Sequence, residues 1–269
     1  MLKDITVGQF YPANSPVHRL DAGIKLIATF VFMISIFLVN RFYVYGIVVA
    51  VLAAIIAASK IPGKYIIKGI KPLRWIILFT MIINMFFIPG EVLWALGPAK
   101  ITVEGIRQAF FMSIRLILLI VGTSVLTLTT SPIALTDGIE RVLSPLKKVG
   151  FPVHELAMMM TIALRFIPTL LDETDKIMKA QMSRGADFES KNIMNRAKNL
   201  VPLLVPLFIS AFRRADELSM AMDARCYRGG DNRTKMKEAV IGKPEYTAVF
   251  ITVVYMAAII ALRFVKVGI

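Results

Sequence analysis

The sequence predicts an all-α integral membrane protein: about five transmembrane helices and long amphipathic helices on the cytoplasmic side. Three observations predict it. Of the 269 residues, 57% are apolar and mean hydropathy is +0.68, against ~45–50% apolar in a soluble globular domain. The excess lies in five runs, 24–39, 42–59, 75–90, 116–132 and 246–262, each near the ~17–25 residues that cross a hydrocarbon core. Between the fourth and fifth runs the apolar residues recur at helical spacing.

The runs are slightly short, so the helices extend into their flanks, through Asp21–Gly23, Pro72–Arg74 and Arg115. Five such runs exclude a buried soluble core as their origin. The first run is followed by no small-residue cleavage site and reads as a retained helix. The chain divides into 1–130 with four membrane helices, 131–245, and 246–269 with the last membrane helix and a tail.

Net charge is +14, from 32 Lys+Arg against 18 Asp+Glu. In a membrane protein this reads as attraction to anionic membrane lipid and as orientation bias, with no nucleic-acid partner. The 60–74 loop carries Lys60, Lys64, Lys68, Lys71 and Arg74 and no acid, whereas the 91–111 connection is balanced. Basic loops stay in the cytoplasm. The N-terminus and 131–245 are therefore expected in the cytoplasm of a multi-pass protein of the cell membrane, and 91–111 outside. The tail is then outside, although Arg263 and Lys266 oppose this; a further crossing within 199–212 would bring it inside.

Segment 131–245 reads as helices. Ser131 is an N-cap with Pro132 in the first turn, and Gly150-Phe151-Pro152 stops the first helix. A second helix spans about Pro152–Arg184, with an apolar stripe through Val153, Leu156, Met160, Ala163, Ile167 and Leu170. Pro168 predicts a kink, and Gly185 ends the helix at a left-handed cap. A third helix starts near 192–199 and runs to about Tyr227, with Pro202 and Pro206 inside and a stop at 228–231. The two ends resemble each other at a constant offset of 41: Asp175, Ala180 and Arg184 match Asp216, Ala221 and Arg225. Each arginine lies between small residues, Ser183 and Gly185, or Ala224 and Cys226. An arginine there can simply favour the helix dipole. Small neighbours also let a second surface approach, and a planar guanidinium suits a carboxylate on it.

The sequence holds no phosphate-binding loop: Ile61-Pro62-Gly63-Lys64-Tyr65 lacks the glycine frame and hydroxyl. Two histidines and Cys226 make no zinc site of the usual kind, and no cofactor or catalytic residue is expected. No run carries an acid or histidine for a proton relay. Asn84 reads as a helix-to-helix hydrogen bond, and His18 and His154 have no assignable partner. The methionines of the second helix suit either an adaptable surface or ordinary packing.

Taken together, Ser183-Arg184-Gly185 and Ala224-Arg225-Cys226 resemble the signatures of the T component of energy-coupling factor importers, ABC-type transporters of vitamins and transition-metal ions. Ser15–Lys25 resembles that family's approach to its first membrane helix, and Asp223–Gly229 its second signature. The family triplet is usually Ala-Arg-Gly; here Ser replaces Ala once and Cys replaces Gly once. The resemblance implies a non-catalytic scaffold bridging two ABC-type ATPases and a small membrane-embedded substrate-binding S component. Arg184 and Arg225 would each enter a groove of one ATPase, and the helices would transmit ATP-driven closure to the S component. A lipid-modifying membrane enzyme and a stand-alone facilitator are the competing classes. The first needs converging acids, and the cluster Asp172, Glu173, Asp175 shares its face with Lys176 and Lys179.

Overall fold

A computed structural model describes residues 10–39, 41–96, 99–186, 188, 193–230 and 242–264. In chain order the elements are α1 (Pro16–Arg19), α2 (Ala22–Leu38), α3 (Phe42–Ser59), α4 (Gly63–Ile70), a 3-10 turn, α5 (Arg74–Phe87), β1 (Val92–Leu96), β2 (Ala99–Thr102), α6 (Val103–Thr129), α7 (Pro132–Leu143), a second 3-10 segment (Ser144–Val149), α8 (Val153–Ser183), α9 (Ile193–Ala224) and α10 (Lys243–Phe264). They form two compact units, one of residues 8–142 and 239–269, the other of 143–238.

The fold is helical and multi-pass. Phe42–Ser59, Val103–Thr129, Val153–Ser183 and Lys243–Arg263 are long and apolar enough to cross a membrane, and α2, with 17 residues, is slightly shorter. The third run becomes the 14-residue α5, about 21 Å long. Two features differ from expectation. Residues 91–111 are not one loop: β1 and β2 pair as an antiparallel hairpin, and α6 begins at Val103. The start is a local cap. Thr102 Oγ1 accepts from Gly105 N at 3.0 Å and donates to Ile88 O at 2.8 Å, satisfying an amide that has no partner within the helix. Asn84 bonds within its own helix, Nδ2 donating to Thr80 O at 2.8 Å.

In the unit of 8–142 and 239–269 the least exposed apolar residues are Ile36, Val48, Ile259 and Ala109, from α2, α3, α10 and α6. Phe32 lies on Gly122 so closely that any Cβ there would overlap its ring. The Ser35 and Tyr255 hydroxyls share a 2.7 Å hydrogen bond between α2 and α10. Trp75, Phe79, Phe87 and Phe250 are exposed, as suits surfaces facing lipid.

The family-like stretch Ser15–Lys25 forms a polar knot. Ser15 Oγ caps α1 and contacts His18 Nδ1 at 2.7 Å, and His18 Nε2 meets Tyr11 O at 3.0 Å. Asp21 Oδ1 accepts from Gly23 N at 2.9 Å, capping α2, while its Oδ2 accepts from Arg141 Nη1 at 2.7 Å. Lys25 Nζ donates to His18 O and Thr129 O, each at 3.0 Å. Gly138 on α7 comes so close that a Cβ would stand 2.8 Å from the Ala22–Gly23 backbone. As expected, Ser131 caps α7, Oγ accepting from Ala134 N at 3.2 Å.

Candidate functional site

The site lies at the ends of α8 and α9 in the unit of 143–238. Helix α8 ends within a residue of the expected boundary and runs unbroken through Pro168. Ser183 Oγ donates to Lys179 O at 3.1 Å, so this residue presents little beyond its small size. Arg184 N and Ala186 N both donate to Gln181 O at 3.0 Å, and Gly185 N to Met182 O at 3.0 Å. Gly185 has φ +89°. This pattern, a left-handed residue with a bond reaching back five positions, is a Schellman cap that satisfies the last carbonyls.

Helix α9 ends the same way, at an offset of 41 in every bond. Arg225 N donates to Met222 O at 3.1 Å, Cys226 N to Asp223 O at 2.9 Å, and Tyr227 N to Met222 O at 3.1 Å. Cys226 takes the left-handed position with φ +56°. The expected stop at 228–231 is thus too late. Apolar spacing continues to Tyr227, and nothing in a cysteine announces a left-handed turn. Its match with Gly185 in the 41-residue repeat was the signal for it. The cap also explains the third triplet position: glycine adopts this conformation without strain, whereas a side chain there costs about 1–2 kcal/mol.

Glu173 Oε2 accepts from Arg214 Nη2 at 3.1 Å, and Gln181 Nε2 donates to Pro202 O at 3.4 Å. An advance of eight residues on α8 therefore matches a retreat of twelve on α9, so the helices run antiparallel. Arg184 and Arg225 lie at opposite ends of the pair, separated by on the order of 30 Å along it. The Ser210 hydroxyl, together with Arg214, holds the Glu173 carboxyl below its ordinary value. The pair is partly exposed, and such pairs stabilise by only ~0–1 kcal/mol.

All six triplet residues, Ser183, Arg184, Gly185, Ala224, Arg225 and Cys226, are exposed. Neither arginine side chain has a hydrogen bond or ion pair among the described residues. No cluster of three or more His, Cys, Asp or Glu suited to a metal occurs among those residues. What the arrangement offers is two permanently charged, blunt, similarly shaped ends.

The fold defines a multi-pass helical membrane protein with a second helical unit whose ends carry this matched pair. The family model described as CbiQ, cobalt transport protein, matches residues 13–236. The chain is 55% identical over 265 residues to the energy-coupling factor transporter transmembrane protein EcfT of Ruminiclostridium cellulolyticum, covering 98% of this chain and 99% of that one. The protein of the same name from Thermosediminibacter oceani is 54% identical over 264 residues (98% and 100%), and that of Bacillus subtilis 46% over 262 residues (97% and 98%). The chain belongs to the CbiQ family, and the resemblance to the T component of energy-coupling factor transporters is borne out. It is a non-catalytic transporter subunit that works with other subunits.

Proposed function

We propose that this chain is the scaffold through which two cytoplasmic ABC-type ATPases reorient a small membrane-embedded S component, for uptake of a vitamin or transition-metal ion across the cell membrane. One observation carries the reading: two exposed arginines, on identical left-handed caps 41 residues apart, occupy opposite ends of an antiparallel helix pair. Two similar ends suit two similar partners. Each guanidinium would pair with a carboxylate in an ATPase groove, its small neighbours and the sharp turn after it keeping the approach open. When ATP draws the ATPases together, the helix ends follow, and α8 and α9 pass the motion to the S component.

The basic 60–74 loop supports a cytoplasmic N-terminus and a cytoplasmic 131–245 segment. Helix α8 is read as cytoplasmic although it has the length of a span. Its mean hydropathy, 1.2, is the lowest of the four candidates, the others reaching 1.9–2.3. Asp172, Glu173, Asp175, Lys176 and Lys179 crowd its second half. Helix α9 is not among the spans, which supports keeping 199–212 on the same side.

Arg184→Ala combined with Arg225→Ala tests this. Losing one member of a buried charge pair costs about 2–5 kcal/mol, so co-purification of the ATPases falls sharply, or transport stops while the S component still binds substrate. Normal assembly and normal transport by the double variant would refute the role of the tips.

A further inference from the structure

Sequence reading puts Arg115 on the flank of an apolar run, but the structure puts it inside α6, twelve residues after Val103 and fourteen before Thr129. At ~1.5 Å per residue it stands about 18 Å and about 21 Å from the two helix ends. Neither part alone covers a hydrocarbon core of ~30 Å, but the guanidinium reaches Val39 O at the C-terminal cap of α2, so the charge stands at the level where α2 ends, near the membrane interface. A charge at that level is suited to an anion at the membrane surface.

Arg115 is half-buried and held by neutral groups. Nε donates to the Tyr45 hydroxyl at 3.3 Å and Nη2 to Val39 O at 3.1 Å. The rings of Phe37 and Phe111 lie 5.5 and 5.2 Å from the guanidinium. Nη1 reaches only the Met112 sulfur, at 4.0 Å. Among the described residues no carboxylate pairs with it.

Arg115 also lines a cavity of about 620 Å³, shared with Ile88, Glu104, Arg107, Gln108 and Phe111. On α6 these fall on one face, so Arg107 stands two turns above Arg115 with the Gln108 amide and the Phe111 ring between them. Glu104 is eleven residues from Arg115, about 16 Å along the axis, and its Oε2 accepts from Glu91 N at 2.8 Å. The cavity therefore has two cations, an amide donor and apolar walls; its acid, Glu104, lies one turn from Arg107 and is turned to the Glu91 amide, while the Arg107 guanidinium lies 6.0 Å from the Phe42 ring.

We propose that this cavity binds a phosphate ester, the headgroup of an anionic phospholipid, with Arg107 and Arg115 as its charge partners. Two guanidiniums match phosphate oxygens bidentately. The level of Arg115 beside the end of α2, and the apolar Ile88 and Phe111, favour a lipid over a soluble phosphate ester. Phe87 and Phe110, next to those two in sequence, are exposed and suit the acyl chains.

The test uses the full chain in neutral detergent, titrated with phosphatidylglycerol, with diacylglycerol and with glycerol 3-phosphate, and read by native mass spectrometry. Wild type retains phosphatidylglycerol over diacylglycerol. Arg107→Gln weakens that retention about fivefold, and Arg107→Gln with Arg115→Gln about 25-fold. Arg115 also braces Tyr45 and Val39, so its variant can fail to fold; Arg107 is exposed, and the single Arg107→Gln variant decides the matter alone. Glycerol 3-phosphate binding as tightly as phosphatidylglycerol would keep the site and assign it to soluble phosphate esters. Retention unchanged in Arg107→Gln, equal retention of diacylglycerol, or a partner subunit's acidic side chain cross-linked into the cavity would overturn the proposal.

Discussion

Lys25 and Arg184 are both cations at the ends of long helices, and the molecule treats them in opposite ways. Lys25 sits in the first turn of α2, buried, its ammonium shared between the His18 and Thr129 carbonyls. Arg184 caps α8, exposed, with no partner among the described residues. In the membrane unit an unsatisfied charge is untenable, so the chain supplies oxygen atoms from distant positions. At an exposed helix C-terminus a lone arginine is mildly favourable by itself, by ~0.3–1 kcal/mol. Exposure alone therefore says little about Arg184. Its repetition does: the same cap, hydrogen bonds and charge recur at Arg225.

This contrast can be broken at either end. In the membrane unit, Gly138→Ala drives a methyl into the Ala22–Gly23 backbone. Overpacking of this kind costs about 1–3 kcal/mol, read as a lower thermal unfolding midpoint in detergent. Asp21→Ala removes the cap of α2 and strands Arg141. A loss of about 1 kcal/mol is expected from the cap, with less from the half-exposed ion pair, and the same measurement checks it. The smallest effects fall at the tips and have opposite signs. Gly185→Ala destabilises by about 1 kcal/mol, while Cys226→Gly stabilises by a similar amount, because each exchanges the residue at a left-handed position. Equal signs at the two sites would mean that the caps are not equivalent.

Much of this was legible in the sequence where one physical cause acted alone. Uncharged length marked α3 to the residue, and the Ser131-Pro132 and Gly185 signals bounded α7 and α8. Where local and tertiary causes competed, the reading slipped. The 91–111 stretch is balanced in charge, which reads as a loop, yet Thr102 caps a helix that continues through Arg107 and Arg115. The partners of His18 are a backbone carbonyl and a hydroxyl, which no spacing rule marks. Asn84 turned to its own helix, donating to Thr80 O, a choice that composition does not mark. At the candidate site the arginines and their small neighbours were readable, but the left-handed turn at Cys226 was hidden by a residue type that rarely makes one.

The most direct measurement is the number of ATPase subunits held per chain, counted by native mass spectrometry without nucleotide, for Arg184→Glu, Arg225→Glu and the two together. Independent docking ends predict that either single reversal lowers the count from two to one, and that the double reversal lowers it to none. Two ATPases retained by the double variant would contradict the assignment of Arg184 and Arg225 as the docking tips.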